Sequence, residues 1–321
     1  MYCYTEPDVG RLAMDWIKLR CPATTANLGP GYDVFGLALE EPYDILEVAK
    51  TSGVGIRIEV SGYPVPSQPE ANSAGYAALN MLKAFGLSVG LEVRLRKGIK
   101  PGSGLGSSAA AAAGMAYALN KLFNLGLERE ALVEYASQGE VVAAGTAHAD
   151  NVAPAIFGGF IIVVSRSPLK VVPIRPPRDL GIAVALPSVE KGSTKIAREA
   201  VPKLVPVTDM NFNVGHAALL AAGMALGDIS LIKQGMEDRV VEPARARAGI
   251  VREYKAFKRL AKEMNAGIAV SGAGPAMLGI TETARIDELA KAMKGLFEER
   301  GYRCEVYTTR PGIGVQETTW G

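Results

Sequence analysis

Cysteine is scarce in this chain, and histidine scarcer. The 321 residues hold three cysteines, Cys3, Cys21 and Cys304, far apart and odd in number, with no C-x-x-C pair. That excludes a disulfide framework and a cysteine-based zinc site, and it fits a reducing interior. With only His148 and His216 present, a multi-histidine metal centre is excluded too. An excess of either charge is also missing. Thirty-five Lys+Arg against 33 Asp+Glu leave +2, and no run of five like charges occurs, so the basic face or tail of a nucleic-acid-binding protein is absent. The first sixteen residues carry Glu6, Asp8 and Asp15 and no apolar run, so no secretory signal is read there. One uncharged stretch, Pro101 to Asn120, has about the length that crosses a bilayer. It is built of Gly, Ser and Ala rather than Leu or Ile, so insertion is not expected. A cytoplasmic protein with no membrane and no nucleic-acid partner is the resulting expectation.

What is present points to a folded protein. Hydrophobic residues make up 48% and charged residues 21%, enough to bury a core. At ~150 residues per domain the length suits one large domain or two ordinary ones. The first clear element is expected to begin near Ile17, and strands are expected at Ile56–Val60 and Leu91–Leu95 by their apolar–polar alternation. Helices are expected at Ser73–Phe85, Ser107–Phe123 and Leu127–Ala144, followed by a buried strand at Phe160–Ser165. Pro173, Pro176 and Pro177 then interrupt the chain and mark the candidate domain boundary. Beyond it, strands are expected at Gly181–Leu186, Gly267–Val270 and Arg303–Thr308. Helices are expected at Phe212–Leu226, Ala244–Met264 and Ile286–Arg300. This mixture, with half-solvated alternating strands, favours an α+β arrangement. The expected division is an extension over 1–16, an N-terminal domain over 17–170 and a C-terminal domain over 171–321.

Pro101-Gly-Ser-Gly-Leu-Gly-Ser-Ser108 stands between the Leu91–Leu95 strand and the alanine-rich helix. Glycines let backbone approach a ligand closely and take φ > 0. The helix that follows begins with unpaired N–H groups and a partial charge of roughly +0.5. Ser107 and Ser108 add hydroxyls. Together these features suit a polyanion. A plain glycine turn before a serine-capped helix would explain a bare match as well. Two common phosphate motifs fail: no Lys follows Gly106 as in a P-loop, and Gly102, Gly104 and Gly106 are too tightly spaced for a dinucleotide fingerprint.

The string Pro101 to Ala110 closely resembles the nucleotide loop of the GHMP kinase superfamily. Two further segments resemble that superfamily's first and third motifs in the right order: Pro22-Ala-Thr-Thr-Ala-Asn-Leu-Gly-Pro-Gly-Tyr-Asp33 and Val270-Ser-Gly-Ala-Gly-Pro-Ala276. Within the superfamily the resemblance narrows to the homoserine-phosphorylating branch. It does so through Asp33-Val-Phe-Gly36, His148-Ala-Asp-Asn-Val-Ala-Pro154 with Gly158-Gly159, Ser193 to Arg198, and Glu242-Pro243 with Arg245. It spans about Ile17 to Thr308. The first sixteen residues lie outside it.

The resemblance implies a two-domain α+β fold, with a ribosomal-S5-like N-terminal half containing a left-handed βαβ crossover and a ferredoxin-like C-terminal half. It implies transfer of phosphate from ATP to the hydroxyl of L-homoserine, a step toward threonine, with Mg²⁺ as cofactor. Pro101, Gly102, Ser103, Gly104, Leu105, Gly106, Ser107 and Ser108 would hold the triphosphate. Glu140 and Ser108 would hold the metal. Arg198 and Arg245 match the positions that bind the substrate carboxylate, a task suited to a guanidinium fork. Asn27, Asp33, His148 and Asn151 match other substrate positions, with Asp33 facing the ammonium. His216 is read as structural. Asn72 is a candidate for the adenine pocket, in a region of three prolines that could equally be a solvent loop. Some relatives use a carboxylate base near the acceptor hydroxyl. The resemblance puts Asn151 there, and an amide takes no proton at neutral pH. Direct attack by the hydroxyl, with Asn151 and Thr194 orienting the reactants beside Glu140, is therefore expected. The rival readings are a kinase of the same superfamily for another small alcohol, such as shikimate or mevalonate, and a silent binding module of the same fold. A homodimer is the expected assembly.

Overall fold

The computed structural model describes residues 15–144, 149–189 and 194–319. Its first six strands build one sheet: β1 (Ile17–Asn27), β2 (Gly31–Thr51), β3 (Gly55–Gly62), β4 (Gly90–Lys97), β5 (Phe160–Arg166) and β6 (Leu169–Ile174). A second sheet follows, from β7 (Leu180–Pro187), β8 (Gly267–Val270), β9 (Met277–Glu282) and β10 (Cys304–Thr309), in the order β10-β7-β9-β8. The short β11 (Gln316–Glu317) then returns to the first sheet beside β1.

The twenty-one residues of β2 organise the first sheet. They pair with β1 along nearly their whole length, with β4 through Ile45–Thr51 and with β5 through Phe35–Leu37. A strand this long was not expected from the sequence, because the turn at 28–30 and the Glu40-Glu41-Pro42 interruption hide its periodicity. β3 and β4 are parallel, joined through α1 (Ser73–Ala84). The expected helix and strand positions on both sides of the phosphate loop hold, with α2 (Ser107–Leu122) and α3 (Arg129–Ala144) following it and α4 (Ala149–Phe157) leading into β5. Pro173 does not stop the chain. It lies within β6, whose partner is β5 and which, among the described residues, has no strand on its other side, an edge position where a missing N–H is tolerated. The change from one sheet to the other falls in residues 175–179.

The uncharged stretch from Pro101 is not a surface for lipid. Ten of the sixteen residues of α2 are buried among α1, α3, α4, β1 and β2. Small side chains permit this: alanine forms helix readily and lets neighbouring elements approach from every side. Among the described residues no helix is long and apolar enough to cross a membrane.

In the second sheet the period of two is clear. Ile182, Val184 and Leu186 of β7 join the large core shared with the first sheet. Ala183 and Ala185 face a smaller core with Phe257, Met293 and Phe297. The helices of this half of the chain are α5 (Thr194–Glu199), α6 (Val207–Leu226), α7 (Ile229–Gly235), α8 (Val241–Arg247), α9 (Tyr254–Glu263) and α10 (Ile286–Glu299); α6 and α7 pack into the large core, and α9 and α10 into the smaller one. The single helix expected over Ala244–Met264 is two. Gly249, at φ 73°, ends α8, since a left-handed residue after the last helical turn closes it.

Candidate active site

Three segments far apart in sequence close on one another at the phosphate loop. Gly104 and Gly106 have φ of 87° and 62°, a region that L side chains rarely occupy. A Cβ on Gly104 would lie 2.4 Å from the Ser271 carbonyl oxygen, and one on Gly106 would lie 2.0 Å from Thr24 Oγ1. The glycines thus serve two purposes: they turn the loop, and they let the neighbouring segments touch it. Thr24 N donates to Leu105 O at 3.1 Å, Ser271 Oγ donates to Gly104 O at 2.8 Å, and Ala276 N donates to Ser103 O at 3.3 Å. Gly272 N in turn donates to Ala26 O. The first and third motifs therefore clamp the second.

Beneath the loop lies a buried ion pair that the sequence reading did not single out. Lys97 Nζ donates to Asp44 Oδ2 and, at 2.7 Å, to the carbonyl of Ser107. Asp44 Oδ1 accepts from the N–H groups of Gly98 and Ile99, and Ser107 Oγ donates to Ile99 O. Both ends of the loop are fastened to this one pair. Burial pushes the Asp44 carboxyl up, against the attraction of Lys97. Nothing in the local sequence signals it, because Asp44 and Lys97 meet only through the β2–β4 pairing.

A cavity of about 350 Å³ opens over the loop. Gly102, Gly104, Gly106, Ser107 and Ser108 line it at one end, with Pro101 at its edge. Ser103 and Leu105 are buried within the loop instead. Ser103 Oγ donates to Lys100 O and accepts from Leu105 N, so it shapes the turn. Val65, Pro66, Ala71 and Leu95 form an apolar wall. Asn72 lies there too, with its amide engaged: Oδ1 accepts from Ala74 N and Gly75 N, capping α1, and Nδ2 donates to Pro66 O. Glu140, buried in α3, faces the same space as Ser108.

Asn27, Tyr32, Asp33, Asp150, Arg198 and Arg245 also line the cavity, and Asn151 stands next to the loop, where a Cβ on Gly106 would lie 3.2 Å from its Oδ1. Arg198 reaches both oxygens of Asp33, at 2.9 and 3.0 Å. Arg166 Nη2 lies 3.3 Å from Asp33 Oδ2. Arg245 is buried; its Nε donates to Ala197 O and its Nη1 to Gly272 O. Burial pulls this guanidinium below its ordinary value, though arginine stays cationic. Asn27 donates from Nδ2 to Gly272 O and accepts at Oδ1 from Asp33 N, holding Asp33 at φ 60°. Asn151 Oδ1 accepts from Thr24 Oγ1 at 3.0 Å. Asp150 is buried beside Asn151. Desolvation, then the nearby Asp33 charge, push its carboxyl up to about 6. His148 lies outside the described residues, as does the side chain of Thr194. His216 stacks on Phe212 in α6, away from the cavity.

This arrangement can hold a polyanion at one end and a small molecule bearing both charges at the other, with an amide between them. The comparisons with known proteins agree. The family model described as "GHMP kinases N terminal domain" matches residues 72–159. Fold and loop therefore define a GHMP kinase, an enzyme class that transfers phosphate to an alcohol. A curated homoserine kinase of Methanococcus maripaludis is 46% identical, over 95% of this chain and 99% of that protein. One of Methanocella arvoryzae is 41% identical over 94% and 97%. A crystal structure of homoserine kinase from Cytophaga hutchinsonii superposes with a TM-score of 0.87 at 33% identity, covering 99% of this chain and all of the other. L. major mevalonate kinase shares the fold, with a TM-score of 0.71 at 17% identity. The chain belongs to the homoserine kinase family.

Proposed function

We propose that the chain phosphorylates the side-chain hydroxyl of L-homoserine with ATP, giving O-phospho-L-homoserine and ADP. The observation that carries this reading is the cavity itself. It joins a backbone-built anion cradle at Gly102–Ser108 to Asp33, Arg198 and Arg245, which complement an α-ammonium and α-carboxylate. Likeness to homoserine kinases along nearly the whole chain supports the same substrate.

Phosphoryl transfer asks chiefly for positioning and charge neutralisation. The loop N–H groups and the α2 N-terminus would take the phosphates. Glu140 and Ser108 supply hard oxygen donors to the same space, and these fit Mg²⁺, which keeps much of its shell from water and substrate phosphates. Bound there, the ion would neutralise charge on the phosphates. Arg198 and Arg245 would take the substrate carboxylate and Asp33 its ammonium. The substrate hydroxyl oxygen would attack the γ-phosphorus as the bond to the β-phosphate oxygen breaks, and its proton would pass to the transferred phosphoryl group. Thr24 occupies the acceptor oxygen of Asn151, so the amide would offer N–H to the reactants. Positioning and electrostatics of this kind supply on the order of 10 kcal/mol.

Homoserine-dependent ADP release tests the reading. Turnover is expected with L-homoserine and ATP. Equal or greater turnover with shikimate or mevalonate would overturn the substrate, and no acceptor-dependent ADP release would overturn the activity. The proposed compartment is the cytoplasm, in keeping with the free thiols of Cys21 and Cys304. A homodimer is the proposed assembly. The outward stripe Val207, Met210 and Val214 on α6 supports it, and light scattering reads it.

A further inference from the structure

The acceptor end of the cavity poses a physical problem. The two groups best suited to a zwitterion, Asp33 and Arg198, are already bound to each other through a two-pronged ion pair. An α-amino acid carries the same two charges, joined through one carbon. Without acceptor, Asp33 and Arg198 satisfy one another; with acceptor, each must trade its partner for the opposite charge on the ligand. The surroundings suit such an exchange. Arg198 and Asp33 keep 29% and 22% of their side-chain surface exposed, so opening the pair is inexpensive compared with breaking a dry one. Arg198 Nη2 contacts both Asp33 oxygens, and Arg166 contacts Oδ2 as well. Departure of Arg198 therefore opens Oδ1 to a ligand while Arg166 keeps the carboxylate anchored through Oδ2. The Tyr32 ring stands 5.9 Å from the Arg198 guanidinium and 5.2 Å from that of Arg245, a cation–π surface along which Arg198 can turn toward a shared carboxylate. Arg245 itself is pinned by two carbonyls.

We propose that the Asp33–Arg198 pair is an internal stand-in for the substrate zwitterion, and that its exchange is what selects a molecule bearing both charges. The proposal rests on the homoserine reading above and adds a mechanism of selectivity to it. An acceptor with one charge frees two protein charges and satisfies only one. Rejection of 4-hydroxybutyrate, which lacks the ammonium, and of 3-amino-1-propanol, which lacks the carboxylate, is thus enforced by the protein's own pair as well as by the missing contact.

The consequence is an unusual gain. In Asp33→Asn the competing pair is weakened while Arg198 and Arg245 remain. Asparagine also tolerates the left-handed backbone at this position. Because a part-exposed pair of this kind is worth up to about 1 kcal/mol, kcat/KM for 4-hydroxybutyrate is expected to rise about two- to fivefold over the unaltered protein. Over the same change, kcat/KM for homoserine is expected to fall by about 30-fold or more, as for truncation of one partner of a charge pair. Arg198→Met should do the mirror image, gaining on 3-amino-1-propanol and losing on homoserine. Melting curves establish that each variant is folded, and either variant alone suffices. Activity of the unaltered protein on homoserine, combined with losses on every acceptor in both variants, overturns this proposal alone. An unaltered protein that turns over none of the three acceptors overturns the substrate reading and this proposal with it.

Discussion

The two ends of the cavity are built by different means. At the nucleotide end the contacts are backbone: glycine turns, the start of α2, and carbonyls clamped by Thr24, Ser271 and Ala276. Main-chain groups carry little conformational entropy once the fold has formed, so this end is stiff. At the acceptor end the contacts are long charged side chains: Arg166 of β5 and Arg198 of α5 meet Asp33 in part-exposed pairs, and buried Arg245 of α8 holds the Gly272 carbonyl. On the proposed reading, one end would recognise a group common to all nucleotides, for which backbone suffices. The other would distinguish one small alcohol from many, with charges that can exchange partners.

The sharpest way to break this contrast is to put a side chain into the stiff end. Gly104→Val requires φ near 87° of a β-branched residue and drives a Cβ into the Ser271 carbonyl. Nucleotide affinity by calorimetry should fall about 1,000-fold or more, since the strain reaches several kcal/mol. Retained ATP affinity would show that the loop is not the phosphate site. At the other end, Arg245→Met should raise KM for homoserine about 100-fold while leaving KM for ATP within a factor of three or so. A parallel rise in both constants would erase the distinction between the ends.

A third measurement concerns α8, the helix that carries Arg245. Glu242 is buried in α8, where Oε1 accepts from Val270 N at 2.6 Å. Desolvation pushes its carboxyl up to about 7, only partly opposed by Lys258. A folded-state value above the unfolded one stabilises at low pH. The contribution is complete below about 4.5 and is lost as pH rises through about 7. Glu242→Gln should therefore remove about 2 kcal/mol of pH dependence between pH 5 and 8, with the variant gaining on the unaltered protein as pH rises. Identical slopes for the two proteins in melting experiments would refute the assignment.

The smallest expected effect is at Asp150. If the hydroxyl attacks without a carboxylate base, Asp150→Asn should retain turnover within about tenfold, below the 10²–10⁴ typical of a lost general base. A pH–rate limb near 6 that disappears in this variant, with KM intact, would make Asp150 the base.

Much of the nucleotide end was legible in the linear sequence. Its residues are contiguous, and the requirement for glycine before a helix N-terminus is local physics. The alanine run likewise announced a tightly packed helix, because propensity and small volume are properties of single residues. The acceptor end was legible only through resemblance: nothing intrinsic to Asp33, Arg198 or Arg245 marks them as neighbours. Arg166, Thr24 and the Asp44–Lys97 pair escaped even that. The break between α8 and α9 was missed because Gly249 is one weak signal within a strongly helical composition.

By itself, then, the order of residues determined the elements, the α+β mixture and the phosphate loop, since each depends on interactions between residues a few positions apart. Only the tertiary structure decided that Asp33 pairs with Arg198 and that Ser271 closes on Gly104. It alone placed a buried lysine under the loop. Those contacts join residues 53 to 167 positions apart, and their geometry exists only once distant elements have packed.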